Sequence, residues 1–239
     1  MSYSDITFKD KNRIKRWLQN QRLVSAIKLG IHTEQCPKVI CDFGAGNGEL
    51  CKLLLEHFPE ARIICYEPAP QLLDEARDNL KGISNVEFFQ QVCDVEMESV
   101  DLLFCLEVFE HLPLKETQEV IHEIENILTP EGRLIVGVPV EIGIPALYKG
   151  IFRMIRRYGA FDANIKNVLS SSIGYPPKNR PSGEIAPGFR FHFEHTGFDF
   201  RSLNKTLGNY FTILSITTSP FPKLGAWLMP EIYFTTQKR

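Results

Sequence analysis

Between residues 39 and 140 two periodicities take turns. Short apolar runs rich in β-branched residues alternate with segments whose apolar positions recur every three or four residues, the signature of strand followed by amphipathic helix. Val39-Ile40-Cys41-Asp42-Phe43 is such a run. It turns through Gly44, Gly46 and Gly48 and enters a helical pattern at Leu50, Leu53 and Leu54. The spacing predicts further strands over Ala61–Glu67, Asn85–Gln91, Val100–Glu107 and Arg133–Val140, with helices over Pro70–Lys81 and Leu114–Leu128, the latter stopped by Thr129-Pro130-Glu131-Gly132. This alternation implies an α/β fold, a parallel sheet with helices on both faces, whose ligands sit beyond the carboxyl ends of the strands.

The flanks break the rhythm. Residues 1–37 predict a covering helix with Ile14, Trp17, Leu18, Leu23, Ile27 and Leu29 on its apolar face and Lys9, Lys11, Arg13, Lys15, Arg16 and Arg22 on a solvated basic face. Residues 38–140 hold the alternating half. In the 141–198 insertion, apolar residues from Ile144 to Ile155 interleave with Lys149, Arg153, Arg156 and Arg157. They predict a basic amphipathic helix over 144–157 that closes over an acceptor pocket or makes weak contact with a membrane surface. Asn167–Gly188, rich in Ser, Gly and Pro, reads as a long loop. Within 199–239 a helix precedes two strands, Phe211–Thr218 and Glu231–Gln237, joined by a Pro-rich turn carrying Trp227.

Composition narrows the class. A chain of 239 residues, 44% hydrophobic and 23% charged, suits one domain spanning 1–239, and a net charge of -2 gives no global pull toward nucleic acid or anionic lipid. The six cysteines lack a C-x-x-C pair and read as small core residues of a reducing compartment. With neither an apolar leader nor a membrane-length run, the expected location is cytoplasmic.

The glycine turn carries the chemistry. A dinucleotide fingerprint, G-x-G-x-x-G, needs its third glycine where this chain has Glu49, and Glu49 would face a diphosphate with like charge. A nicotinamide-dependent oxidoreductase is therefore the weaker reading. Asp42 suits a positive group near the turn and the free N–H groups at the helix start suit a carboxylate, so the zwitterionic end of an amino acid satisfies both.

Asp42-x-Gly44-x-Gly46-x-Gly48 resembles the first motif of class I S-adenosylmethionine (SAM) dependent methyltransferases. Glu67, Asp94 and the Glu107–Pro113 stretch follow at the family's spacing. The resemblance implies a Rossmann-like seven-stranded, mostly parallel sheet with its last strand antiparallel and a lid inserted after strand five. It also implies SAM as cofactor and S-adenosylhomocysteine as product. Asp42, Phe43, Gly44, Ala45 and Gly46 would then form the cradle. Glu67 would accept from the ribose hydroxyls, with Pro68 beside the adenine, and a surface acid ending a strand is its plainer alternative. Asp94, or else a simple turn aspartate, would accept from the adenine amino group next to the Val95 backbone. Leu106 and Glu107 would border the methionine portion.

The stretch Glu107-Val108-Phe109-Glu110-His111 matches the E-V-x-E-H motif of quinone-biosynthesis-type methyltransferases. His111 is a candidate to reach the acceptor, although Glu107 and His111, four apart, are equally able to pair structurally. His192 and His195, just before the last helix, are the other catalytic candidates. No metal site is expected, because Glu107 and His111 lack a third ligand at motif spacing. DNA is disfavoured as a substrate: the Asp/Asn-Pro-Pro-aromatic segment of base-methylating enzymes is absent after this strand, and Tyr175-Pro176-Pro177 lies far downstream. The expected partner is a small metabolite, lipid-linked or sugar-derived acceptor, and a catalytically silent SAM-binding module is the other alternative.

Overall fold

A computed structural model describes residues 13–31, 36–186 and 189–239, with the side chains of 13–15, 185 and 186 excepted. The helices are α1 (Arg13–Ile31), α2 (Glu49–His57), α3 (Pro70–Asn79), α4 (Leu114–Ile127), α5 (Ile144–Arg157), α6 (Ile165–Ser172), α7 (Phe200–Tyr210) and α8 (Gly225–Leu228). The strands are β1 (Val39–Phe43), β2 (Arg62–Tyr66), β3 (Val86–Phe89), β4 (Val100–Leu106), β5 (Leu128–Pro139), β6 (Ser182–Ala186), β7 (Phe189–His192), β8 (Phe211–Ser219) and β9 (Glu231–Lys238).

Seven strands form one sheet in the order β3-β2-β1-β4-β5-β9-β8. Strands β1 to β5 pair in parallel, and β9 slots antiparallel between β5 and β8, with Val136 opposite Phe234. The expected architecture is therefore present. Alternate residues along each strand feed opposite cores, as the pleat requires. Ile40, Ile63 and Phe104 face α1, α2 and α3, where Leu23, Ile27, Leu54 and Ala76 pack. Cys41, Ile64 and Leu103 face α4 and α7, where Val120, Ile124, Leu203 and Leu207 pack. All five parallel strands thus deliver their carboxyl ends to one rim.

Four expectations need correction. Asn167–Gly188 is not one loop: Asn164 caps α6 by accepting from the Lys166 and Asn167 amides, so the serine run 170–172 ends a helix, and Ser182–Ala186 pairs antiparallel with β7. Residues 187 and 188 lie outside the described set. Strand five begins at Leu128 rather than Arg133, because Leu128 already pairs with Val100, and the Thr129–Gly132 segment bulges before pairing resumes at Leu102 and Arg133. The cysteines divide: Cys41, Cys51, Cys65 and Cys105 are buried thiols, whereas Cys36 and Cys93 are exposed. On α1, Trp17 is exposed, and the burial runs through Leu23, Ala26 and Ile27. The basic positions Lys9 and Lys11 lie outside the described residues.

Candidate active site

The turn after β1 is folded against β2 by two hydrogen bonds, from the Gly44 and Ala45 amides to the Tyr66 carbonyl (2.8 and 2.9 Å). Gly44 sits at φ +80°, and a Cβ there would come within 2.5 Å of Val108 Cγ2, so both backbone strain and space restrict the position to glycine. The Gly46 amide donates to Glu67 Oε2 (2.8 Å) and the Ala69 amide to Glu67 Oε1 (2.9 Å). Glu67 is buried just past β2 and ties the turn to the start of α3. Burial pushes its carboxyl upward while the two amides pull it back.

Asp42 is buried at the base of the turn and accepts only a weak bond from Cys51 Sγ (3.4 Å). Burial, reinforced by the Glu67 carboxylate and opposed by the thiol, pushes Asp42 up to about 7. A cavity of about 130 Å³ lies over this turn, lined by Asp42, Gly44, Ala45, Gly46, Leu106 and Glu107, with Arg22 across its mouth. Of the remaining predicted cofactor residues, Phe43 packs into the core against Tyr66 with ring centroids 4.4 Å apart. Val95 is a core residue, Asp94 is exposed on a 3-10 turn at Val92–Asp94, and Pro68 is half-buried; none of these lines the cavity.

Glu107 begins the loop beyond β4 at φ +57°, an unusual conformation for a residue with a Cβ. Its amide donates to the Gly137 carbonyl (2.9 Å) and its carboxylate pairs with Arg22 (2.9 Å), not with His111. Arg22 also pairs with Glu231 (2.9 Å). The expectation of a solvated basic face on α1 therefore fails at this residue, which turns inward between two acids. Burial opposes its charge, yet Glu107 and Glu231 hold the guanidinium above its ordinary range. Nothing in the local sequence separates Arg22 from its solvated neighbours, because both partners come from distant strands. Burial, with Glu231 adding to it and Arg22 opposing, pushes Glu107 up to about 8.

The three candidate histidines part company. The His111 and His195 Nε2 atoms lie 3.2 Å apart, and His111 Nδ1 bonds the His192 carbonyl (2.7 Å). Phe191 stacks on the His111 ring at 4.3 Å. The His192 ring faces away toward the Pro181 carbonyl (3.2 Å), so its backbone, not its imidazole, joins the cluster. Burial, with the nearby Arg180 adding to it, lowers His111 to about 4 against the pull of the His192 carbonyl. Burial also lowers His195, with His111 adding and Glu141 opposing.

A second cavity, of about 300 Å³, opens beside the first and shares Gln19 and Arg22 with it. Glu141, Lys149, Phe152, Arg153, Arg156 and His195 line it, so α5 supplies one wall of this second cavity. Its cations are mostly spoken for. Lys149 bonds Glu141 (3.1 Å), and Arg153 clamps Glu141 through two nitrogens (2.8 and 2.9 Å) and reaches Asp162 (3.4 Å). Arg157 also pairs with Asp162. Burial alone would raise Glu141, but Lys149 and Arg153 overcome it and hold the group below the usual carboxylate range. Among the described residues Arg156 has no carboxylate partner and lies over the Phe152 ring (5.5 Å). A further cavity, about 680 Å³, lies elsewhere: it is walled by Leu112, Arg180, His192, Arg201 and Leu203 and shares no residue with the turn after β1.

Residues 41–134 match a family model described as a methyltransferase domain. The matched segment, less than half of the chain, is similar to a methyltransferase domain. A malonyl-[acyl-carrier protein] O-methyltransferase of Hahella chejuensis is 32% identical over 120 residues, which cover 48% of this chain and 41% of that protein. The chain thus spans about two fifths of that relative's length. Among solved structures, the PH0226 protein of Pyrococcus horikoshii superposes with a TM-score of 0.63 at 14% identity, covering 99% of this chain and 96% of that one. The 1,6-didemethyltoxoflavin-N1-methyltransferase of Burkholderia thailandensis, solved with its substrate and S-adenosylhomocysteine, gives a TM-score of 0.55 at 16% identity, covering 91% and 78%.

Proposed function

We propose that this chain is a cytoplasmic enzyme that transfers a methyl group from SAM to a small-molecule acceptor. The observation that carries the reading is a pair of adjoining compartments: a glycine-built cradle over a buried acid, and a separate charged cavity meeting it at Gln19 and Arg22. The donor set fits the cofactor. Asp42 and Glu107 suit the cationic end, Arg22 its carboxylate, Leu106 the apolar chain and Glu67 the ribose, while Glu49 disfavours a diphosphate. Asp94 and Pro68 extend this track toward the adenine. Bound SAM supplies an electrophilic methyl on sulfur. The protein's contribution is to aim an acceptor at it and to exclude water, which α1 and α5 accomplish from two sides.

Of the three histidines, His195 alone lines the acceptor cavity and is placed to touch the acceptor. With Lys149 paired to Glu141 and Arg153 to Glu141 and Asp162, Arg156 is the α5 cation lining the cavity that remains to hold an anionic group, which favours a carboxylate-bearing acceptor. The O-methylated malonyl thioester of the Hahella relative is a precedent from that protein. The test is calorimetry with S-adenosylhomocysteine, followed by its release from SAM against pools of carboxylic acids, phenols, amines and nucleotide sugars. Turnover with the carboxylic acids is expected. Absence of binding defeats the reading, binding without turnover on any pool favours the silent module, and NADH binding in its place favours the oxidoreductase.

No helix among the described residues is long and apolar enough to cross a membrane. Beside the pocket that Phe152 and Arg156 line, α5 exposes Ile151 and Ile155, with Tyr158 just past its end, next to Arg157, which supports weak contact with an anionic bilayer. Sedimentation with anionic vesicles should fall in Arg156→Glu/Arg157→Glu, and unchanged sedimentation rejects that contact.

A further inference from the structure

Behind the acceptor cavity three donor atoms converge. Glu110 Oε1 lies 3.7 Å from His111 Nε2 and 4.0 Å from His195 Nε2, and the two nitrogens are 3.2 Å apart. Glu110 is fully buried, and neither of its carboxylate oxygens has a hydrogen-bond partner. An interior carboxylate left in this state is costly unless a cation or a proton compensates it. Arg180 does not, since it donates instead to the backbone carbonyls of Glu110 and Glu194 (2.6 and 2.5 Å). The two ring nitrogens hydrogen-bond each other across 3.2 Å, a contact that a bound ion would replace. Donation from His111 Nδ1 to the His192 carbonyl fixes the tautomer that leaves a lone pair on Nε2, aimed into the cluster.

We propose that Glu110, His111 and His195 bind a first-row divalent transition-metal ion. A point equidistant from three atoms with these separations lies about 2.1 Å from each, the range for zinc bound by imidazole nitrogen and carboxylate oxygen. Two imidazoles and one carboxylate favour zinc, cobalt or iron over magnesium or calcium, which take oxygen ligands. The set leaves coordination positions open. His195 also lines the 300 Å³ cavity, which gives the ion an entry path and places those positions toward it. The His192 carbonyl and the stacked Phe191 ring orient His111 from behind, as outer groups do for metal-bound histidines.

This site stands whether or not methyl transfer is the activity, and its test is separate. The full chain, stripped with chelator and dialysed, is titrated with CoCl2 and ZnCl2 by calorimetry, and the cobalt form is read by its visible d–d absorption. One equivalent at micromolar affinity or tighter is expected. Glu110→Gln and His195→Ala should each weaken it at least tenfold, while His192→Ala, whose ring faces Pro181, leaves it unchanged. Circular dichroism and the thermal melt of each stripped variant establish that it is folded. S-adenosylhomocysteine binding, measured on the same stripped protein, reports the methyltransferase reading independently. Absence of both heat and d–d bands in the folded chain overturns the site, as does one-equivalent binding that survives in both Glu110→Gln and His195→Ala.

Discussion

From Asp42 to Gly48 the proposed cofactor cradle is seven consecutive residues, and its shape is a property of backbone: positive φ at three glycines and amides held by Tyr66 and Glu67. The acceptor wall is built the other way. Arg22 from α1 meets Glu231 across 209 positions, His195 meets His111 across 84, and Arg153 meets Glu141 across 12, all through side chains. A backbone site tolerates little substitution at few positions. A wall of paired charges spreads its dependence over many, each of which is costly to leave alone.

The largest effect should come from unpairing the wall. Arg153→Met removes the double clamp on a fully buried Glu141 and should lower unfolding free energy by about 3–5 kcal/mol in urea melts, the scale for breaking a buried pair. A loss under about 1 kcal/mol means Lys149 alone suffices.

The next concerns the acid beneath the cradle. With Asp42 near 7 in the folded chain against 3.8 unfolded, the folded state binds the extra proton between these values. Its contribution to stability is whole below pH 3.8 and is lost as pH rises through 7, about 4 kcal/mol in all at 1.36 kcal/mol per unit. Asp42→Asn should flatten that slope, raise the melting temperature at pH 8 and weaken SAM. A slope unchanged in the variant assigns the pH dependence to another group.

Gly44→Ala should weaken S-adenosylhomocysteine by about 1–3 kcal/mol, the cost of strain at φ +80° with the Val108 contact added, while circular dichroism stays native. Of the same size is Glu67→Ala, expected to weaken SAM by about 1.5–3 kcal/mol with the ribose bonds lost. Equal affinity in calorimetry shows the ribose is held elsewhere.

The same division explains what the sequence disclosed. Val39 to Leu50 states its strand, turn and helix within one short window, so the cradle and the alternating units around it were readable from spacing. Residues 167–188 were misread because Ser, Gly and Pro content outweighed one local signal, the Asn164 cap. The fate of Arg22 and the approach of His195 to His111 depend on how β9 and the β7 hairpin pack. No spacing rule reaches across 84 or 209 residues. The helix 144–157 was recognised, but its basic residues looked free because Asp162, which neutralises two of them, lies beyond the helix.

The packing of α5 on α6 bears on anyone wishing to retarget this pocket. A Cβ at Gly150 would meet Val168 at 2.5 Å, so the two helices abut with no slack, and displacing one drags the other. New specificity is therefore better sought by exchanging the side chains of Phe152 and Arg156, which project into the pocket, than by grafting or lengthening the segment that carries them.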